Sequence, residues 1–518
     1  MSQSLTDRYD DRIAGVLSCY DRVVITGTLP TVCYAEGMTR FLHASGIRIF
    51  DYPAFAQELR DRVRAGAAAL ATAAGVTIEH IAKSHIRKEA VVQQVLQQRG
   101  DHAGLVHIIS AMEACDAYQP WHDKATHRSY VRADSGKCLH YYFYFMDAVF
   151  GLIYLRVPTY CPFRLQFYGN GHSWLARQLT VEGIGYTMAD NAFVKIDDWS
   201  HAQDLADGFS PDLLHRTLDR YARQCCPVAH VFGQSYHWSL MQVEYATDLA
   251  FRSATTLGPL YQQLIRESVI SVKADQVASF LGHRITPQLA QEIGSQFSTR
   301  IEGTCVKHRF GKASIKMYDK AGIVLRIETT ANDVSFFKHH RKVEHRERPP
   351  TRALAPVKKS IYSLIDLREI LLGCNKRYLA HLSALDDFSA GVRALDRLTK
   401  PRDVDGKTVK GINFFEPGDK ALLEALQNPS GQHRRHSPGR PARGPGEVLA
   451  GTTITATAAA PRYRCDQAGD RNVSVLPDKG GPGGCRRRLP DQGSHHPSGN
   501  GLMGFFDAQS GKSRGISD

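Results

Sequence analysis

The stretch Ser314–Glu328, SIKMYDKAGIVLRIE, decides how the chain is read. Ile315, Met317, Leu325 and Ile327 alternate with Ser314, Lys316, Tyr318, Val324, Arg326 and Glu328. A period of two, interrupted by a short loop with glycine, marks two antiparallel strands with one apolar and one polar face. With Lys320-Ala321-Gly322 as the loop, the four apolar residues share a face, Lys316 stands opposite Arg326, and Ser314 opposite Glu328. The same rule upstream, with Arg309-Phe310-Gly311 as the loop, pairs Thr304 with Lys316 and sets Glu302 opposite Tyr318. The expected product is a three-stranded meander whose polar face gathers Glu302, Lys316, Tyr318, Arg326 and Glu328. The run His237–Asp248, HWSLMQVEYATD, presents Gln242, Glu244, Ala246 and Asp248 on one side and can join the same sheet.

Outward from this block the expected fold class is α+β. In the first 110 residues, apolar runs such as Arg22–Thr26, Val76–His80 and Gly104–Ser110 alternate with helical patterns at Met38–Ala44, Ala54–Ala74 and Lys88–Gln98. That alternation predicts an α/β layer with a partly parallel sheet over 1–130. Thr26-Gly27-Thr28-Leu29-Pro30 lacks the spacing of a dinucleotide or P-loop motif, which argues against a nucleotide site. The aromatic runs Leu139–Phe145, Gly151–Val157 and Phe163–Tyr168 read as consecutive antiparallel strands, followed by a helix with Trp174, Leu175 and Leu179 on one face; they define a segment 131–235. The meander and inserted helices occupy 236–337. A basic stretch, 338–359, reads as a flexible connector, and helices resume over 360–428 with Leu364, Leu367, Leu371 and Leu372 as a core stripe.

The composition sets the class of partner. The 518 residues are 42% hydrophobic and 23% charged, so a large core can form. Sixty-five Lys and Arg against 52 Asp and Glu leave +13, a balance suited to phosphate-rich partners. No uncharged apolar run approaches a membrane span, and the start MSQSLTDRYDDR lacks a signal-peptide pattern, which leads to an expected cytoplasmic location without membrane. Eleven scattered cysteines, never spaced C-x-x-C, indicate neither a disulfide framework nor a zinc ribbon. From 429 to 518, 16 Gly and 9 Pro accompany few large apolar residues, so a disordered tail is expected. Arginine outnumbers lysine there 11 to 2, and GRPARGPGE and GGPGGCRRR look like GC-rich DNA read in a shifted frame; a genuine Arg/Gly-rich tail is the alternative.

Two sets of residues carry candidate chemistry. Lys338, Arg341, Lys342, Arg346, Arg348, Arg352, Lys358 and Lys359 form a cationic segment that would contact DNA phosphates with little sequence choice, unless it is merely a solvated linker. On the meander, Tyr318 would be a nucleophile, Glu244, Asp248, Glu302 and Glu328 would hold Mg²⁺, and Lys316 and Arg326 would face phosphate. Against this stands simple cross-strand ion pairing. Three weaker candidates have ordinary structural alternatives. Asn170-Gly171-His172 fits a turn, Asp147, Asp190, Asp197 and Asp198 fit turns and helix caps, and Cys138 with His140 fits two residues on one strand.

The runs GVLSCYDRVVITGTLP, GKCLHYYFYF, FRLQFYGNGHSWLARQL, SYHWSLMQVEYATD and RIEGTCVKHRFGKASIKMYDKAGIVLRIETTANDVSFFKHHRKVE together resemble a widespread bacterial family often labelled MarR-type transcriptional regulators, over Met1 to about Gln427. The resemblance implies a C-terminal winged helix after GINFFEPGDKALLEALQ, where this chain instead has the Gly/Pro/Arg tail. Locally, KMYDK followed by LRIE is similar to a strand pair of rolling-circle replication initiators and phage nicking proteins, which implies a tyrosine nucleophile beside cation-holding carboxylates. The His-hydrophobic-His pair of many such nickases has no copy here. The leading expectation is a regulatory or mobile-element DNA-binding protein, compatible with a homodimer. The second is a Mg²⁺-dependent DNA nicking or strand-transfer enzyme. The third is a protein-interaction scaffold.

Overall fold

The computed structural model describes residues 4–83, 85–283, 296–345 and 349–386, and in a second unit 401–404, 407–411, 416 and 418–419. The fold is α+β. In chain order the first unit contains α1 (Leu5–Arg8), β1 (Ile13–Thr28), α2 (Ala35–Ala44), α3 (Tyr52–Ala74), β2 (Ile78–His80), α4 (Lys88–Arg99), β3 (Gly104–Asp123), β4 (Arg128–Asp147), β5 (Gly151–Pro158) and β6 (Leu165–Gly169). Next come α5 (Gly171–Val181), β7 (Tyr186–Ala189), β8 (Ala192–Ile196), α6 (Trp199–Asp207), α7 (Pro211–Cys225), β9 (His237–Phe251), α8 (Ala254–Ser271) and α9 (Ala274–Phe280). The unit closes with β10 (Phe297–Glu302), β11 (Cys305–Phe310), β12 (Ala313–Lys320), β13 (Val324–Ala331), β14 (Lys338–Val343), β15 (Thr351–Pro356) and α10 (Leu364–Asp386). The second unit contributes one hairpin, β16 (Arg402–Val404) with β17 (Lys407–Val409).

Among the described residues, eleven strands form one sheet in the order β10-β11-β12-β13-β9-β1-β6-β5-β4-β3-β2. The order contains a repeat. β1 is followed by helices and the meander β3 to β6, whose last strand returns to pair with β1. β9 is likewise followed by helices and the meander β10 to β13, whose last strand returns to β9. The two halves meet where β1 and β9 run antiparallel. Strands from 1–130, 131–235 and 236–337 therefore all enter the same sheet.

One face is apolar because the alternation of the strands demands it. Ile315, Met317, Leu325, Ile327, Val243, Tyr245, Val23, Ile25, Phe167, Leu155 and Phe143 belong to one buried cluster with residues of the helices. Helix α3 meets this cluster with Tyr52, Ala56, Leu59, Val63, Ala67 and Ala71 at three- and four-residue spacing and ends at Gly75, whose φ of 65° is left-handed. In α10 the stripe Leu364, Leu367 and Leu371 continues through Cys374, Tyr378 and Leu382, while Leu372 is half-buried.

Four local expectations are corrected. The loop between β12 and β13 is Ala321-Gly322-Ile323, one residue later than expected, because Ala321 (φ 52°) and Gly322 (φ 68°) both take the left-handed conformation. Lys316 consequently faces Glu328, and Tyr318 faces Arg326, a two-residue slip that keeps every side chain on its expected face. Upstream, the turn at Gly311 is tighter, so Lys307 faces Lys316, and Glu302 lies opposite Cys305 on a fourth strand rather than opposite Tyr318. In the N-terminal segment only β2 and β3 run parallel; β1 pairs antiparallel on both sides, since the returning strand β6, not a crossover, fills its edge. The basic stretch is not a connector without structure: Lys338–Val343 pairs with Thr351–Pro356 as a hairpin. Arg346, Arg348, most of the expected helical segment beyond 386 and the tail 429–518 lie outside the described residues.

Candidate functional site

The opposite face of the sheet is polar where the two halves join, and its centre is held by β1, β9, β12 and β13. The alternation on β9 places Gln242, Glu244, Ala246 and Asp248 there; on β13 it places Arg326, Glu328 and Thr330; on β12, Lys316 and Tyr318. β1 adds what regular alternation would not. Its pairing with β9 shifts between Tyr20, opposite Tyr245, and Arg22, opposite Glu244, so Asp21 is the extra residue of a bulge. A bulge re-aims a side chain, and Asp21 joins Glu244 and Glu328 in a group whose carboxylate oxygens lie within 4.8 Å of one another.

Two hydrogen-bonded sets divide this centre. In the first, Glu328 accepts from Lys316 Nζ at 2.6 Å and from the Tyr318 hydroxyl at 2.5 Å. Lys316 also reaches Glu244 at 3.5 Å, and Arg22 Nε lies 3.6 Å from the other Glu244 oxygen. Thr330 donates toward both glutamates at 3.4 Å. In the second set, Arg326, with 0% exposure, grips Asp248 through Nε and a terminal nitrogen, both at 2.6 Å. It also donates to the Asn191 carbonyl at 2.9 Å and reaches Asp21 at 3.3 Å. His172 stands between Asp21, 3.1 Å from Nδ1, and Asp248, 3.3 Å from Nε2.

Local sequence explains how these side chains arrive. Asn170 caps α5 by accepting from the Ser173 amide at 3.1 Å, which fixes His172 in the first turn above the sheet. Gly171 is required there, because a Cβ would sit 2.1 Å from the Tyr20 carbonyl oxygen. The β7–β8 hairpin packs Ala192 with Ala250 and Val324 and brings the Asn191 carbonyl to the buried Arg326 guanidinium.

The electrostatics separate the carboxylates. Burial pushes the Asp21 pKa up, but Arg326 and His172 more than reverse this and hold it far below the carboxylate range. Asp248 is held down against burial by Arg326 and His172, and Glu328 against burial by Lys316. Glu244 goes the other way: burial and the neighbouring charge of Glu328 raise it despite Lys316 and Arg22. One carboxylate of the three is thus short of positive charge. Burial and Glu328 also raise the Tyr318 hydroxyl well above its ordinary value, so it stays protonated until a base takes its proton.

The structure brings Tyr318, Glu328, Lys316 and Glu244 together. Arg326 and Asp248 form the adjacent clamp, and Glu302, on β10, lies two strands from β12 and three from β13, with one buried oxygen lacking a hydrogen-bond partner among the described residues. Asp21, Arg22 and Asn191 were missed from sequence. The signal for the first two was the charged pair in the middle of an apolar strand, CYDRVVIT. His172 is buried as a positioning group, while Asp147 is spent on Arg220 and Tyr221, and Asp198 caps α6. Lys338, Lys342 and Arg352 of the hairpin, and Lys358 and Lys359 after it, are exposed and Arg341 is half-buried; Lys359 pairs with Asp333 at 3.1 Å and Arg341 bonds to main-chain carbonyls. No described helix is long and apolar enough to cross a membrane. No family model, curated protein or solved structure matches the chain.

Proposed function

We propose that this protein binds DNA and cuts or transfers a strand at the polar centre of the sheet, with Tyr318 as nucleophile. One observation carries the reading: the Tyr318 hydroxyl donates to Glu328 at 2.5 Å, and Glu328 belongs to the three-carboxylate group. A nucleophile, its base and an orienting cation, Lys316, stand in hydrogen-bonded sequence, the arrangement that covalent catalysis needs. In the step proposed, the Tyr318 oxygen bonds to phosphorus and its proton passes to Glu328. The bond from phosphorus to the leaving sugar oxygen breaks and that oxygen takes a proton from solvent, giving a phosphotyrosine and a strand with a free hydroxyl. Asp21, Glu244 and Glu328 are hard oxygen donors suited to Mg²⁺; burial first, and then the charge of Glu328, raises the Glu244 pKa, and an ion would offset the second of these. A divalent ion bound there would lower the charge of the reacting phosphate. Lys316 and Arg22 supply fixed positive charge beside it.

The β14–β15 hairpin supports the binding half of the reading. Lys342 stands opposite Arg352, and like charges facing one another favour a hairpin that meets an anion. The site draws Asp21 and Arg22 from one half of the sheet and Glu244, Lys316 and Glu328 from the other, so a homodimer is not needed to complete it. A cytoplasmic location accords with a DNA substrate. Supercoiled plasmid incubated with the protein and Mg²⁺ or Mn²⁺ should be relaxed and should leave a covalent protein–DNA adduct, both abolished by Tyr318→Phe and by EDTA. Plasmid binding that survives EDTA, with neither cutting nor adduct under any divalent ion, would reduce the function to DNA binding alone.

A further inference from the structure

A second reactive cluster lies on the long β3–β4 ribbon, outside the carboxylate centre. Glu113 faces Cys138 and Cys115 faces Gly136, so the two thiols are diagonal neighbours on one face of the ribbon. Gly136 leaves the space open: a Cβ there would meet only the Ala117 Cβ, at 3.9 Å. Cys115 is half-buried and Cys138 buried, so the pair is reached from the Cys115 side. His140, the next residue on that face of β4, brings Nδ1 to 3.7 Å from the Cys138 sulfur and 3.1 Å from its carbonyl oxygen. Glu113 is fully engaged by Tyr142, Arg156 and Lys88, so its charge is neutralised rather than turned on the thiol.

The two sulfurs are polarised in opposite directions. The hydrogen bond from Cys115, then His140 acting against burial, bring the Cys138 thiol down to about 5, while Cys115 is pushed up by Cys138 and by burial. Other described cysteines differ in kind. Cys161, Cys225, Cys226, Cys305 and Cys374 are buried, with burial raising each thiol.

We propose that Cys138 and Cys115 form a peroxide-sensitive thiol pair, Cys138 attacking and Cys115 resolving. The Cys138 thiolate attacks one oxygen of hydrogen peroxide; the S–O bond forms, the O–O bond breaks, and hydroxide leaves to become water on protonation. Cys115 sulfur then attacks the Cys138 sulfenic acid; the S–S bond forms, the S–O bond breaks, and the thiol proton leaves with the hydroxyl as a second water. Two thiols are oxidised and one peroxide is reduced. The product staples β3 to β4 on the face that carries the polar centre farther along the sheet.

The test uses the reduced full-length chain and does not depend on any nuclease activity. Brief treatment with hydrogen peroxide should give a Cys115–Cys138 disulfide in peptide mapping, reversed by dithiothreitol. In Cys115→Ser the same treatment should leave Cys138 as a sulfenic acid captured by dimedone. Iodoacetamide at pH 6 should label Cys138 about tenfold faster in the unfixed wild type than half-buried Cys33. Labelling of Cys138 no faster than Cys33, or peroxide products spread evenly over the cysteines with no Cys115–Cys138 linkage, would overturn the proposal.

Discussion

Arg326 is the residue on which the polar centre depends. Its guanidinium is enclosed, paired with Asp248 through two bonds and reaching Asp21, so it carries the charge that lets two buried aspartates stay ionised. Removing one partner of such a set leaves charge buried without compensation, at a cost of about 3–5 kcal/mol. Arg326→Met should therefore lower the thermal midpoint strongly in a melting experiment. Arg326→Met combined with Asp248→Leu should recover much of the loss, since two apolar groups replace a pair rather than breaking it. A double variant as unstable as the single one would show that the clamp is not the unit described. Tyr318 differs in kind: it is half-buried and donates one hydrogen bond, so Tyr318→Phe should cost about 1–2 kcal/mol while removing the proposed nucleophile.

Among elements, the β14–β15 hairpin offers the sharpest test, because stability and binding should move in opposite directions. Lys342 faces Arg352 across the two strands, and neither has a carboxylate partner among the described residues. Lys342→Glu turns a repulsive cross-strand pair into an attractive one and should stabilise the hairpin by a few tenths of a kcal/mol. If the hairpin meets DNA, the same variant should weaken plasmid binding and reduce the dependence of affinity on salt by about one unit of log–log slope or more. Unchanged affinity and slope would remove the hairpin from the interface. The bulge at Asp21 and the capped start of α5 matter at this scale for another reason: each delivers one side chain, Asp21 or His172, to a sheet built by the other strands.

For the whole molecule, the depressed carboxylates tie stability to pH. Asp21, Asp248, Glu328 and Glu113 all have folded pKa values below their unfolded ones. Their contribution is therefore complete above the unfolded values and is lost as pH falls through the folded ones. For Glu113 the window runs from 4.5 down to about 2. Glu244, raised by burial and Glu328, opposes this trend. Thermal midpoints should drop as pH is lowered from 4.5 toward 2, with a shallower fall in Glu113→Gln; equal slopes would assign the acid sensitivity elsewhere. Divalent ions supply a complementary test. If Asp21, Glu244 and Glu328 hold Mn²⁺, saturating the site a hundredfold above its dissociation constant should add about 2.7 kcal/mol of stability. Glu244→Gln should diminish that gain, and a wild-type midpoint indifferent to Mn²⁺ and Mg²⁺ would leave the carboxylates without an ion.

What the sequence determined by itself is local and periodic. The alternation in Ser314–Glu328 and His237–Asp248 assigned each side chain to its face, and the aromatic runs from Leu139 to Tyr168 gave consecutive antiparallel strands, because a period of two is written into neighbouring residues. It brought Tyr318, Glu328, Lys316 and Glu244 to one surface even with the loop misplaced, since a two-residue slip preserves facing. Only the tertiary structure decided that β1 lies beside β9, that a bulge turns Asp21 into the carboxylate group, that Asn191 of the β7–β8 hairpin bonds to Arg326, and that Glu302 stands one strand farther from Tyr318 than expected. These are pairings between residues more than a hundred positions apart, or single register shifts. They are settled by which apolar faces can be buried together, a competition that no window of neighbouring residues contains.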